Sequence, residues 1–158
     1  MRQETRDEIV HGVIEAYRQA VFDQDTDAFM RLYIPDARVF DSWETWSYES
    51  AAAWRKSVHD WLSSLGEDRV RVTVDDVRVW GERPMLVVSA VFRYAAFSST
   101  GVELRSLQNR LTWALRPDGD SWKIVHEHTS LPVRAEDTKA IFKREVVPTF
   151  PLRTGSAP

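Results

Sequence analysis

A change of period near residue 66 divides this chain. Before it, apolar residues recur at three- and four-residue spacing, as in helices that bury one face; from Arg69 to Ser130 they alternate, as in strands. The spacing predicts a first helix over 5–24, with Ile9, Val10, Val13, Ile14, Tyr17, Val21 and Phe22 as its stripe. Asp25 or Thr26 caps a short second helix over 27–33, which Pro35-Asp36 ends. Residues 37–43 read as a strand with Val39, Asp41 and Trp43 on one face. Ser50 caps a third helix over 51–65, with Trp54, Val58, Trp61 and Leu62 in its stripe and Gly66 at its end.

Beyond Gly66 the alternation predicts long antiparallel hairpins: strands from Arg69, over 85–97, 103–116 and 122–130, separated by turns at 81–84, 98–101 and 117–120. The run over 85–97 is the most apolar and reads as a central strand. Helices first and a meander after make an α+β domain over 1–133. A tail over 134–158 follows, with a short helix over 135–142 and a Pro-containing extended or disordered end. Three amphipathic helices need one sheet face to bury against, and a sheet bent around them leaves a hollow. Seven Trp, seven Phe and four Tyr in 158 residues suit the walls of an apolar pocket.

Composition removes several function classes. With no cysteine there is no disulfide, thiolate metal site or Cys nucleophile. A net charge of −3 and no basic stripe argue against nucleic acid. No apolar run approaches the roughly 18 residues that span a membrane, and residues 1–8 lack the apolar core of a signal peptide. A cytoplasmic protein is expected.

Asp41 shares a strand face with two apolar residues. If that face points inward, the carboxylate sits in apolar surroundings that disfavour its charge and make it a proton acceptor or donor; the alternative is a carboxylate that starts the turn before Trp46. Tyr17, in the stripe of the first helix, is either an oxyanion donor or a core phenol. His126 and His128, two apart, fall on one face with Trp122 and Ile124, and His128 could serve as acid or base; a bulge in this strand would reverse that facing. A third strong ligand is missing, so no metal is expected. Arg110 and Thr112, on one face of the neighbouring strand with Gln108, are candidate ligand contacts, as are Trp43, Trp54 and Trp61. Leu111, Trp113 and Leu115 then form an opposite apolar face on the outside of the sheet, which a second copy of the chain would cover as a homodimer.

The helix bearing Tyr17, the run over 32–41 ending in Asp41, and the closing hairpin from Arg110-Leu-Thr-Trp113 through Pro117-Asp-Gly to Trp122-Lys-Ile-Val-His-Glu-His-Thr-Ser130 resemble the SnoaL-like, or nuclear transport factor 2-like, superfamily, in its ketosteroid isomerase-like branch. The resemblance covers roughly residues 6 to 133. It implies a cone-shaped, cystatin-like roll: a curved antiparallel sheet around three helices. It places Asp41 at the general base and Tyr17 at the oxyanion tyrosine of the isomerases. Their late-strand acid falls near Leu111 or Thr112, and the last-strand Asp of the polyketide cyclases falls near Thr129, so neither is matched. The implied activity is a cofactor-independent isomerase, cyclase or dehydratase acting on an apolar, carbonyl-containing molecule. The alternative is a non-catalytic ligand-binding or assembly domain of the same fold.

Overall fold

The protein is described from a computed structural model over residues 4–144, and the extended end expected past residue 142 lies largely outside them. Three helices, α1 (Arg6–Phe22), α2 (Thr26–Met30) and α3 (Ala51–Ser64), precede or interrupt five strands: β1 (Tyr33–Phe40), β2 (Arg69–Glu82), β3 (Met85–Phe97), β4 (Glu103–Asp118) and β5 (Ser121–Ser130). The strands form one curved, unclosed sheet in the order β1-β5-β4-β3-β2. β1 runs parallel to β5 at one edge, and the other pairs are antiparallel.

Local chemistry sets the helix starts. Thr5 and Glu8 form a capping box: the Glu8 backbone amide donates to Thr5 Oγ1, and the Thr5 amide donates to Glu8 Oε2 at 2.9 Å. Asp25 caps α2 and Ser50 caps α3, each accepting from the backbone amide three residues on. Gly66, at φ +57°, supplies the left-handed residue that follows α3. The α1 stripe from Ile9 to Val21 then buries against the concave side of the sheet. Each such aliphatic side chain taken fully from water contributes about 1.5–3 kcal/mol.

Four expectations are corrected. The second helix is shorter than 27–33, ending at Met30, because Tyr33 and Ile34 are already in β1. β1 therefore starts before Pro35 rather than after it, and the proline sits where the pairing with β5 shifts register. Residues 135–142 are not a helix; the chain makes a turn closed by a bridge between Val133 and Ala140. The fourth correction is the largest. Leu111, Trp113 and Leu115 are at most 1% exposed and lie in the core of the single chain, so they cannot be the outer dimer face. The outward residues of β4 are Arg110, Thr112, Ala114 and Arg116, none of them large and apolar.

The register of β5 explains the reversal. Leu115 pairs with Ile124 but Ala114 pairs with His126, so Val125 is an extra residue and β5 carries a bulge. Before the bulge the inward residues are even-numbered, Trp122 and Ile124; after it they are odd-numbered, Glu127 and Thr129. A one-residue step of this kind moves every later side chain to the other face.

Candidate active site

The concave face encloses a cavity of about 680 Å³. Its aromatic walls come from Tyr17 on α1, Trp54 and Trp61 on α3 and Tyr94 on β3, with Trp43 and Tyr48 from the segment between β1 and α3. Its polar lining includes Asp41, Asn109, Glu127 and Thr129, with Glu44, Asp60 and Arg105 as further charged groups. The volume suits a drug-sized molecule, and apolar walls with a few converging polar groups are what such sites show.

Asp41 directly follows β1 and keeps the inward phase of Val39, so its carboxylate reaches the cavity. Thr129 Oγ1 donates to Asp41 Oδ1 at 2.9 Å. The same hydroxyl accepts from the Ser42 backbone amide at 2.9 Å and stands 3.0 Å from Ser42 Oγ. Its single proton is thus committed to the carboxylate. Burial pushes the Asp41 pKa up; the Thr129 hydroxyl and the Ser42 and Trp43 amides pull it down without cancelling the rise.

Tyr17 is 3% exposed, and its hydroxyl lies 2.8 Å from that of Tyr94. Burial raises both phenols above their ordinary range, so both remain protonated. Two protons serve one mutual hydrogen bond, which leaves one O–H to offer elsewhere. Phe29, Phe92 and Trp113 fix the Tyr17 ring at centroid distances of 5.0 to 5.5 Å.

Glu127 is 2% exposed and accepts two hydrogen bonds, from Tyr33 Oη at 2.6 Å and from Trp113 Nε1 at 2.7 Å. Burial raises its pKa to about 7, and those two donors limit the rise. Two further polar atoms in the wall, Trp54 Nε1 and Asn109 Oδ1, are buried with no partner. Leaving such groups unpaired costs about 1–3 kcal/mol each.

Of the expected site residues, Asp41, Tyr17, Trp43, Trp54 and Trp61 come together around the cavity. Arg110, Thr112, His126 and His128 do not: the bulge at Val125 and the matching phase of β4 put them on the opposite face. There Arg110 Nε donates to Ser130 Oγ at 3.0 Å, and His126 Nδ1 lies 2.9 Å from the Arg38 carbonyl. Phe40 takes both histidine rings edge-on, at 5.0 and 5.5 Å, with the Arg38 guanidinium over its face. Among the described residues no group of three His, Cys, Asp or Glu could hold a metal ion.

Glu127, Tyr94 and Asn109 were missed by sequence reasoning. The signal that finds them is the apolar phase of β4: Leu111, Trp113 and Leu115 are the residues a buried face would choose, and Asn109 shares their phase. The tail contributes too. Phe142 stacks on Trp43 at 5.5 Å, and its carbonyl accepts from the Gln108 amide. Arg144 pairs with Asp75 and Asp76, tying the segment to the β2 bulge.

A family model described as SnoaL-like domain matches residues 10–134. Solved structures share the architecture at low identity. One is a nuclear transport factor 2-like protein of unknown function from Pseudomonas putida KT2440, with 21% identity, 87% of this chain and 94% of that chain covered, and a TM-score of 0.73. A candidate dehydratase of the nuclear transport factor 2-like family from Streptomyces avermitilis has 17% identity, coverage of 83% and 100%, and a TM-score of 0.68. A candidate scytalone dehydratase from Novosphingobium aromaticivorans has 10% identity, coverage of 78% and 81%, and a TM-score of 0.66. No match was found among curated proteins. At these identities the structural likeness speaks for the fold.

Proposed function

This chain belongs to the SnoaL-like domain family, and on that premise we propose that it is an acid–base enzyme of the dehydratase, isomerase or cyclase type. Its substrate is an apolar, uncharged, carbonyl-containing molecule, and Asp41 moves a proton on the carbon beside the carbonyl. The observation that carries this reading is the Asp41 carboxylate: it faces an aromatic cavity, burial raises its pKa, and Thr129 fixes one of its oxygens. A base of raised pKa beside apolar walls is matched to removing a weakly acidic C–H proton. The spare phenol proton of the Tyr17–Tyr94 pair is available to the oxygen on which negative charge collects.

Charge supports an uncharged substrate. Asp41, Glu44 and Asp60, the last paired with Lys56, line the cavity with the guanidinium of Arg105, a balance that gives no net attraction to carboxylates and phosphates. The candidate dehydratases among the structural neighbours are consistent with this class of chemistry.

The reading is tested without the natural substrate. In D₂O, 2-tetralone, a flat neutral ketone, exchanges its α-protons slowly, and NMR follows the loss of signal. The protein should accelerate exchange, and Asp41→Asn should lower the accelerated rate by about 10²–10⁴-fold, the usual contribution of a positioned base. Equal rates in the two proteins would overturn the assignment.

A further inference from the structure

The two hydrogen bonds that Glu127 accepts fall on the same oxygen, Oε2. Neither donor, Tyr33 nor Trp113, lines the cavity, whereas Glu127 does. Oε2 is therefore held behind the wall, and Oε1 is the oxygen left for the cavity side. The arrangement also fixes where a proton would sit. With an O–H and an N–H aimed at its lone pairs, Oε2 is the carbonyl-type oxygen of a neutral carboxyl, and the hydroxyl of that carboxyl is Oε1–H. None of the ion pairs among the described residues includes Glu127, so no cation holds it as an anion.

We propose that Glu127 is a ligand-facing acid, whose Oε1–H donates a hydrogen bond to the carbonyl oxygen of the molecule in the cavity. This rests on the acid–base reading above and adds a second carboxyl of opposite role. When Asp41 takes the α-proton, the C–H bond breaks and its electron pair spreads over the α-carbon, carbonyl carbon and oxygen. The new O–H bond is on Asp41. The Glu127 proton stays on Oε1, and its hydrogen bond shortens as negative charge gathers on the ligand oxygen.

Burial, and then the Asp41 charge, favour the protonated form of Glu127, and the groups facing it supply no cation. Tyr33 on β1, Tyr17 on α1 and Tyr94 on β3 are neutral phenols, Trp113 on β4 is neutral, and Asp41, after β1, is an anion that further opposes a second charge. Its pKa near 7 means that the donor is present below neutrality and lost above it.

The test measures 2-tetralone binding by quenching of tryptophan fluorescence, from about pH 5.5 to about pH 8.5 on either side of the Glu127 transition. Tetralin, which lacks the carbonyl, serves as reference. Affinity for 2-tetralone should fall about tenfold across that range, the worth of one hydrogen bond, while tetralin affinity stays level. Glu127→Gln, whose amide N–H still donates, should bind 2-tetralone with a flat pH profile. Asp41→Asn should retain the fall while losing exchange, which separates this proposal from the Asp41 assignment. If Glu127→Gln does not fold, Tyr33→Phe carries the test: losing one donor to the carboxylate should move the midpoint to higher pH. No binding of 2-tetralone, a level profile in the unaltered protein, an equal fall for tetralin, a fall that persists in Glu127→Gln, or an unmoved midpoint in Tyr33→Phe would each overturn the proposal.

Discussion

The two faces of the β4–β5 hairpin differ in what each side chain is asked to do. The inner face carries Asn109, Leu111, Trp113, Glu127 and Thr129, all under 9% exposed. The outer face carries Thr112 together with Arg110, His126 and His128, residues more familiar as catalytic groups, the last three here engaged with Ser130, Arg38 and Phe40. A single extra residue, Val125, decides which set meets the cavity. Residue type alone is therefore a poor guide to a site on a sheet, because the strand's phase assigns each type to a face.

Substitutions on the two faces should separate sharply. Trp113→Ala removes a fully buried indole and a donor to Glu127, so it should cost about 3–5 kcal/mol in denaturant unfolding; a loss under about 1 kcal/mol would mean that the inner face is not the core. Glu127→Gln should act in the opposite direction and depend on pH. The fold raises the Glu127 pKa from 4.5 to about 7, so the native state holds that proton more tightly than the unfolded chain does. The stability it gives is whole below the unfolded value and is lost as pH climbs through the folded one, a difference worth about 3 kcal/mol. Glu127→Gln, which cannot ionise, should match the unaltered protein at acid pH and exceed it by up to that amount above neutrality.

Thr129→Val should have a smaller effect, about 1 kcal/mol of stability. It removes the hydroxyl that stabilises the Asp41 charge, so the Asp41 pKa should climb further. Exchange of 2-tetralone needs the carboxylate, and its acid limb should move to higher pH. The outer face should yield least. Arg110→Ala, Thr112→Ala and His128→Ala should each stay within about 0.5 kcal/mol in stability and leave the exchange rate unchanged within error. A large loss of exchange in His128→Ala would break the contrast between the faces.

Much of this was legible in the sequence. The α1 stripe, the caps at Asp25 and Ser50, and the inward phase of Val39 and Asp41 depend on neighbours a few residues away, and they emerge as read. The family resemblance pointed to the same Asp41 and Tyr17, which do meet at the cavity. The facing of β5 was not legible, because a bulge is defined by the partner strand and leaves no mark on its own sequence. Counting alternation from Ile124 put Glu127 and Thr129 outside and both histidines inside. The apolar phase of β4 contained the correction, since antiparallel partners must agree on which face is buried. The roles of Glu127 and Tyr94 also needed three dimensions: Tyr33 lies 94 residues from Glu127, and Tyr17 lies 77 from Tyr94.

A crystal structure of the protein with 2-tetralone bound, grown below neutral pH, tests the central claim most directly. The account requires the ketone inside the cavity, its α-carbon facing Asp41 and its oxygen within hydrogen-bond reach of Glu127 Oε1. A ketone seated on the outer face beside His126 and His128, or one inside the cavity with its oxygen turned away from Glu127 and its α-carbon remote from Asp41, would contradict it.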